Sequence, residues 1–178
     1  MEKETTSAMR ARVLLFTGPG KGKTTAALGM LLRCAAYGKK ILWTRFTKAA
    51  DSGELRLFDK LGSVTVLAGD CGMTPPPDHP DYPRHVAAAR ELFERTLAAA
   101  PAYDAVFLDE ICGVTARGMI AEEAVAAFAQ SLGAEQILVL TGRGAGPVLL
   151  ACADTASEVQ CLKHGYRRGV RAQKGVEL

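Results

Sequence analysis

The sequence predicts an α/β fold, a mostly parallel sheet flanked by helices, and three observations carry that prediction. Five short apolar runs are spread along the chain, segments of helical character separate them, and a glycine-rich turn joins the first run directly to the first helical segment. The runs are Val13-Leu14-Leu15-Phe16, Ile41-Leu42-Trp43, Val64-Thr65-Val66-Leu67, Ala105-Val106-Phe107-Leu108 and Ile137-Leu138-Val139-Leu140. Each has the length and the β-branched or aromatic content of a strand, and runs that are apolar on both faces suit buried parallel strands. Helical character covers residues 24–36, a charged stretch over 54–61, then 82–99, 122–132 and 147–153. The run Thr74-Pro75-Pro76-Pro77-Asp78-His79-Pro80 is neither helix interior nor central strand, because each proline lacks a donor and fixes φ. It is a surface loop, serving as a rigid spacer or as a lid over a ligand, and the sequence leaves the two open.

With 178 residues, 48% of them hydrophobic, the chain has material for one substantial core. The expected organisation is a short flexible N-terminal segment over 1–10 and one domain over 11–178. The net charge of +3 arises from 22 basic residues interspersed with 19 acidic ones, a balance that does not call for a nucleic-acid partner. Apolar stretches are interrupted well before the roughly 20 residues a bilayer requires, and the chain opens on charged residues, so the expected setting is the cytoplasm with no membrane partner. Five cysteines, none in a C-x-x-C spacing, read as reduced thiols rather than as a zinc or redox site.

The chemistry begins at Gly18-Pro19-Gly20-Lys21-Gly22-Lys23-Thr24-Thr25. It follows an apolar strand and opens an Ala/Leu-rich helix, the context of a phosphate-binding P-loop. Gly18, Gly20 and Gly22 let successive N–H groups converge on phosphate oxygens, and the helix N-terminus adds favourable partial charge. Lys23 reaches the phosphates, Thr24 joins the shell of a magnesium ion, and Lys21 adds a second cation. The general pattern would have glycine at position 17, where this chain has Thr17. The fold class narrows to a P-loop NTPase-like (RecA-like) one, and the ligand to a nucleoside triphosphate with Mg2+.

A second motif, Val106-Phe107-Leu108-Asp109-Glu110, is an apolar strand ending in two carboxylates, the arrangement of a Walker B segment that supplies the acidic partner of magnesium. Which of Asp109 and Glu110 meets the metal is open at this point. In Leu140-Thr141-Gly142-Arg143-Gly144 another strand closes on small residues and a cation, and Arg143 is positioned to offset phosphate charge. The series Ala153-Asp154-Thr155-Ala156-Ser157-Glu158, Lys163-His164-Gly165-Tyr166 and Gly169-Val170-Arg171-Ala172-Gln173 is polar, and its spacing alone assigns it no chemistry.

Together these segments, with Ala172-Gln173-Lys174-Gly175, resemble the CobA/BtuR/CobO family of ATP:corrinoid adenosyltransferases from about Val13 to the C-terminus. The resemblance implies transfer of the 5′-deoxyadenosyl group of ATP to the cobalt of a reduced corrinoid, cobalamin or a precursor, with release of triphosphate. It implies a nucleotide reversed in the P-loop, so that C5′ is presented for attack. Lys23, Lys21 and the loop amides would hold triphosphate, Thr24 and Glu110 would serve Mg2+, and Arg143 would contact the phosphate end. It also implies a flavoprotein electron donor and a homodimer.

Three departures from the family pattern stand out. Arg45-Phe46 replaces the usual Gln-Phe after the second strand, and Lys48-Ala49 replaces Lys-Gly. The loop after the third strand carries no Phe or Trp, leaving Met73 as the apolar group toward the corrinoid. The N-terminal extension is brief. Two other readings remain at this level: a P-loop ATPase or kinase that cleaves a phosphoanhydride, and a non-catalytic nucleotide or corrinoid carrier.

Overall fold

The computed structural model describes residues 10–47, 53–69, 72 and 74–176. The strands β1 (Arg12–Thr17), β2 (Ile41–Arg45), β3 (Val64–Ala68), β4 (Ala105–Asp109), β5 (Ile137–Thr141) and β6 (Thr155–Glu158) form one sheet in the order β3-β2-β4-β5-β1-β6. Every pairing in it is parallel. The five apolar runs are thus strands, each extended by a residue or two. All five residues of β2 and of β4 are buried, as their continuous apolar character requires in the middle of a two-sided sheet.

Alternation along the strands divides the core in two. Ile41, Trp43, Ala105, Phe107 and Val139 face helices α1 (Lys23–Ala36) and α2 (Gly53–Leu61). There Trp43 stacks on Phe107 with ring centroids 5.2 Å apart and leans on Phe58 of α2 at 5.4 Å. Leu42, Val106, Leu108, Leu138 and Leu140 face the other way, onto α3 (Tyr82–Ala99), α4 (Ile111–Ala116), α5 (Glu122–Ser131) and α6 (Pro147–Cys152). At 25 cal/mol per Å², burying each of these large side chains contributes about 1.5–3 kcal/mol.

Among the strands and α-helices, two are not legible in the sequence pattern. β6 is a polar, largely exposed edge strand, so it carries no apolar pattern. α4 spans six residues and is too short to show helical periodicity, although Ile111, Cys112 and Val114 are buried. The proline-rich run is a loop ending in a turn closed by His79 N–H donating to Pro76 O at 3.0 Å. Among the described residues no helix is long and apolar enough to cross a membrane. Parallel pairing brings the C-terminal ends of β1, β4 and β5 to one edge, with the loops that follow them side by side.

Candidate nucleotide site

Residues 18–22 form the turn between β1 and α1. Gly18 has φ +99° and Gly22 φ +117°, a region closed to other L-residues at ordinary cost. Thr17 lies in the extended strand, where a glycine has no conformational task, and its hydroxyl accepts a hydrogen bond from Ala145 N–H at 3.3 Å. The loop packs tightly against the chain that leaves β6. A Cβ on Gly18 would lie 2.7 Å from Val159 O, and one on Gly20 would lie 2.6 Å from Gln160 O. Val159 N–H donates to Thr17 O at 2.8 Å, and Gly20 N–H donates to Val159 O at 2.7 Å.

Lys23, the first residue of α1, is only 5% exposed. Its ammonium curls back into the loop, donating to Gly18 O at 2.9 Å and Gly20 O at 2.6 Å. Burial pulls its pKa below the usual lysine range, Glu110 opposes that shift, and Arg143 reinforces it. Glu110 and Arg143, distant in sequence, therefore lie within electrostatic reach of the P-loop lysine. Lys21 and Thr25 are exposed, and Lys21 donates to Val176 O at 2.6 Å.

The Walker B-like pair separates into two environments. Asp109 ends β4 and is buried, and its Oδ1 accepts from Thr24 Oγ1 at 3.0 Å and from Thr141 Oγ1 at 2.8 Å. Glu110 is not in the strand: it caps α4 with φ 67°, the one positive φ at a non-glycine among the described residues. Such a conformation costs of order 1–3 kcal/mol and persists where the surroundings enforce it. Here Glu110 N–H donates to Thr141 Oγ1 at 2.9 Å, fixing the turn to the end of β5. Thr141 thus bridges Asp109 and Glu110. In the sequence Thr141 is only part of the run Leu140–Gly144; its place beside the two acidic residues follows from β5 lying next to β4 in the sheet.

Arg45, 1% exposed, is a second residue whose placement is legible only in three dimensions. It ends β2 in register with Asp109, on the same face of the sheet, with Nη2 3.9 Å from Glu54 Oε1 of α2. A buried cation thereby stands beside the buried acid at the edge where the loops gather. Cys112 lies under the same turn, but burial, aided by Glu110, pushes its thiol up to about 12, so it offers no thiolate near neutrality. Met73 and the pair Lys48-Ala49 lie outside the described residues.

The structure therefore collects Gly18, Pro19, Gly20, Lys21, Gly22, Lys23, Thr24, Thr25, Asp109, Glu110 and Arg143 around one sheet edge. Backbone donors at a helix N-terminus, a buried ammonium and a hydroxyl–carboxylate pair suit a phosphate chain with a hard divalent cation.

A solved structure of a KaiC-like protein from Pyrococcus horikoshii superposes with a TM-score of 0.55 over 87% of this chain and 75% of that one, at 15% identity. The fold is that of the RecA-like P-loop NTPases. A corrinoid adenosyltransferase of Pseudomonas aeruginosa is 36% identical over 175 residues, covering 95% of this chain and 84% of its own. One from Escherichia coli K12 is 34% identical over 172 residues, covering 94% and 86%. The corrinoid adenosyltransferase CobA of Salmonella typhimurium is 32% identical over 170 residues, with the same coverage. The model of the family ATP:corrinoid adenosyltransferase BtuR/CobO/CobP matches residues 9–178, and the chain belongs to that family.

Proposed function

We propose that this protein transfers the 5′-deoxyadenosyl group of ATP to the cobalt of a cob(I) corrinoid and releases triphosphate, in the making or salvage of adenosylcobalamin. The observation that carries the reading is the joining of the P-loop to the β4 carboxylate through Thr24 and Asp109, in a chain of this family. The corrinoid is substrate. Its cobalt(I) donates an electron pair to ribose C5′, the C5′–O bond breaks, and the pair leaves on the triphosphate oxygen. No side-chain nucleophile is required; the protein holds C5′ in line and offsets the charge growing on the leaving group.

Lys23, Lys21 and the amides of residues 18–25 hold the triphosphate, and Arg143 stands at its end. Mg2+ is commonly bound through one or two carboxylates together with substrate phosphates, and Thr24 with the Asp109/Glu110 pair fits that donor set. When bound, the ion neutralises phosphate charge. Glu110, turned out of the strand by its left-handed backbone, is the carboxylate proposed to face it, while Asp109 holds Thr24 and Thr141 in place. The reversed seating of ATP, a flavoprotein that reduces cobalt(II) and a homodimer rest on family likeness; Met73 as the apolar contact to the corrinoid, where this chain departs from the family's aromatic loop, and a cytoplasmic setting rest on the sequence, and together they complete the proposal.

The test is an anaerobic incubation of the purified protein with magnesium, ATP and chemically reduced cob(I)alamin, with the corrinoid spectrum and phosphate products followed together. Adenosylcobalamin with intact triphosphate supports the reading. ADP with phosphate points to an ATPase, and tight binding of both substrates without an alkylcobalt product points to a carrier.

A further inference from the structure

Arg143 stands in a loop with glycine on both sides of it, Gly142-Arg143-Gly144-Ala145-Gly146, in which Gly142 has φ +133° and Gly144 φ +75°. Glycine flanks leave such a loop many conformations. Arg143 is exposed, and it shares its sign of charge with Lys23, whose pKa it helps to lower. Left to itself the loop would relieve that repulsion by carrying the guanidinium outward into water. Several ties oppose this. Gly142 N–H donates to Phe16 O at 3.2 Å and Ala145 N–H to the Thr17 hydroxyl at 3.3 Å, so both ends of the Arg143 turn hang from the last two residues of β1. Beyond them the carboxylate of Glu122, in the first turn of α5, accepts from Gly146 N–H at 2.7 Å and from Val148 N–H at 3.2 Å. It sits so close that a Cβ on Gly146 would lie 2.5 Å from Glu122 Oε1. Neither Thr17 nor Glu122 has a role in the transfer as described so far.

We infer that Glu122 and Thr17 are positioning residues for the transfer: through the backbone of residues 145–148 they fix the loop in which Arg143 stands beside the P-loop. The inference rests on the reading of Arg143 as the group at the phosphate end and names what holds it there. Neither side chain needs to touch substrate. A carboxylate taking two N–H groups is a charge-assisted anchor, roughly twice as strong per bond as a neutral one. A cation offsets leaving-group charge best where it already stands when that charge develops, and a guanidinium drawn in from water at that moment must first be ordered. Thr17 also gains a task at the position where the general P-loop pattern has glycine, since glycine there would keep the strand and lose the tie to Ala145. Glu122 in addition caps the start of α6, so its removal lowers stability whatever else it does. What separates a positioning role from a structural one is dependence on Arg143.

The experiment is a pair of double-mutant cycles on the full chain, joining Glu122→Gln and Thr17→Val each to Arg143→Ala. Thr17→Ser keeps the hydroxyl, and Glu123→Gln is the control on the exposed neighbour in α5. Each variant is read by calorimetric binding of inorganic triphosphate with magnesium and by steady-state adenosyl transfer, at a temperature where its melting curve shows it folded. Arg143→Ala is expected to lower kcat about a hundredfold and Glu122→Gln or Thr17→Val about tenfold, with KM for ATP nearly unchanged. Triphosphate binds about fivefold more weakly to each of the three. In the Arg143→Ala background, Glu122→Gln and Thr17→Val add nothing to either loss, and in the parent background Thr17→Ser and Glu123→Gln leave both measurements unchanged. Losses that multiply with that of Arg143→Ala would overturn the inference, as would a lowered melting temperature with kcat and triphosphate affinity intact. An Arg143→Ala variant equal to the parent would overturn it too, since nothing would then need positioning. Should the triphosphate cycles show the dependence while the parent forms no adenosylcobalamin, the positioning role stands and the transferase reading fails; transfer by the parent with independent losses has the opposite meaning.

Discussion

The hydroxyl of Thr24, in the first turn of α1, lies 3.0 Å from Oδ1 of Asp109, 85 residues further along the chain. The same oxygen takes the hydroxyl of Thr141 at 2.8 Å, so one carboxylate joins the ends of β4 and β5 to the P-loop helix. Replacing Asp109 with Ala leaves two hydroxyl donors at a buried site without their acceptor. The expected cost is about 1–3 kcal/mol of stability and on the order of a hundredfold in transfer rate. Urea titration and the anaerobic assay read the two effects separately. A variant with full activity would show that the bridge does not organise the site.

Glu110 pays for its position with a left-handed backbone, φ 67°. Glycine adopts that conformation freely, so Glu110→Gly is expected to lose activity while stability holds or rises by about 1 kcal/mol. Glu110→Gln keeps the strain and removes only the charge. Thermal melts of both variants beside their activities distinguish a carboxylate kept for chemistry from one kept for folding, the latter predicting a marked loss of stability in each.

Lys23→Ala removes the buried ammonium that points into the loop, and ATP binding is expected to weaken at least about tenfold. Met73→Ala is expected to spare ATP binding and reduce cobalt alkylation. Nucleotide titration followed by single-turnover alkylation measures the two steps, and equal effects of both substitutions on both steps would refute the division between nucleotide and corrinoid sides.

Burial lowers the pKa of Lys23 below the usual lysine range, Glu110 only partly compensating. Nucleotide affinity should therefore fall as pH rises through that lowered value, earlier than for an exposed lysine. Stability responds with the opposite sign. Between the lowered folded pKa and the ordinary unfolded one, the unfolded chain binds more protons, so this group's contribution to stability rises with pH. ATP titrations from neutral to alkaline pH, with Lys23→Arg as the variant that keeps its charge, check the first effect. An affinity loss equally early in Lys23→Arg would assign it to another group.

A Cβ at Gly20 would stand 2.6 Å from Gln160 O, a backbone atom that cannot swing aside. Gly20→Ala is expected to displace the segment after β6 and destabilise the protein by about 1–3 kcal/mol, several degrees in melting temperature for a chain of this size. Gly29→Ala, at a position with nothing within 4 Å, is the helix control and should be neutral or stabilising. Equal melting temperatures for Gly20→Ala and the parent would show that the loop is not held against that segment.

By itself the sequence determined the class of fold, the five apolar strands and the P-loop, because each is written in contiguous residues. A buried parallel strand must be apolar on both faces, and a phosphate-binding turn must carry glycine and lysine at fixed offsets. Contact between distant elements leaves no such local trace. The placing of β4 between β2 and β5 is what sets Arg45 beside Asp109 and brings Thr141 to both acidic residues. β6 stayed hidden because an exposed edge strand such as Thr155–Glu158 needs no apolar alternation, and its position against β1 is what lays the basic C-terminal segment across the P-loop. The backbone of Glu110 was hidden for a different reason: its left-handed turn follows from the hydrogen bond to Thr141 and the start of α4, not from any preference of glutamate. Local pattern therefore supplied the parts of the site, and the parallel register of the sheet decided which of them meet.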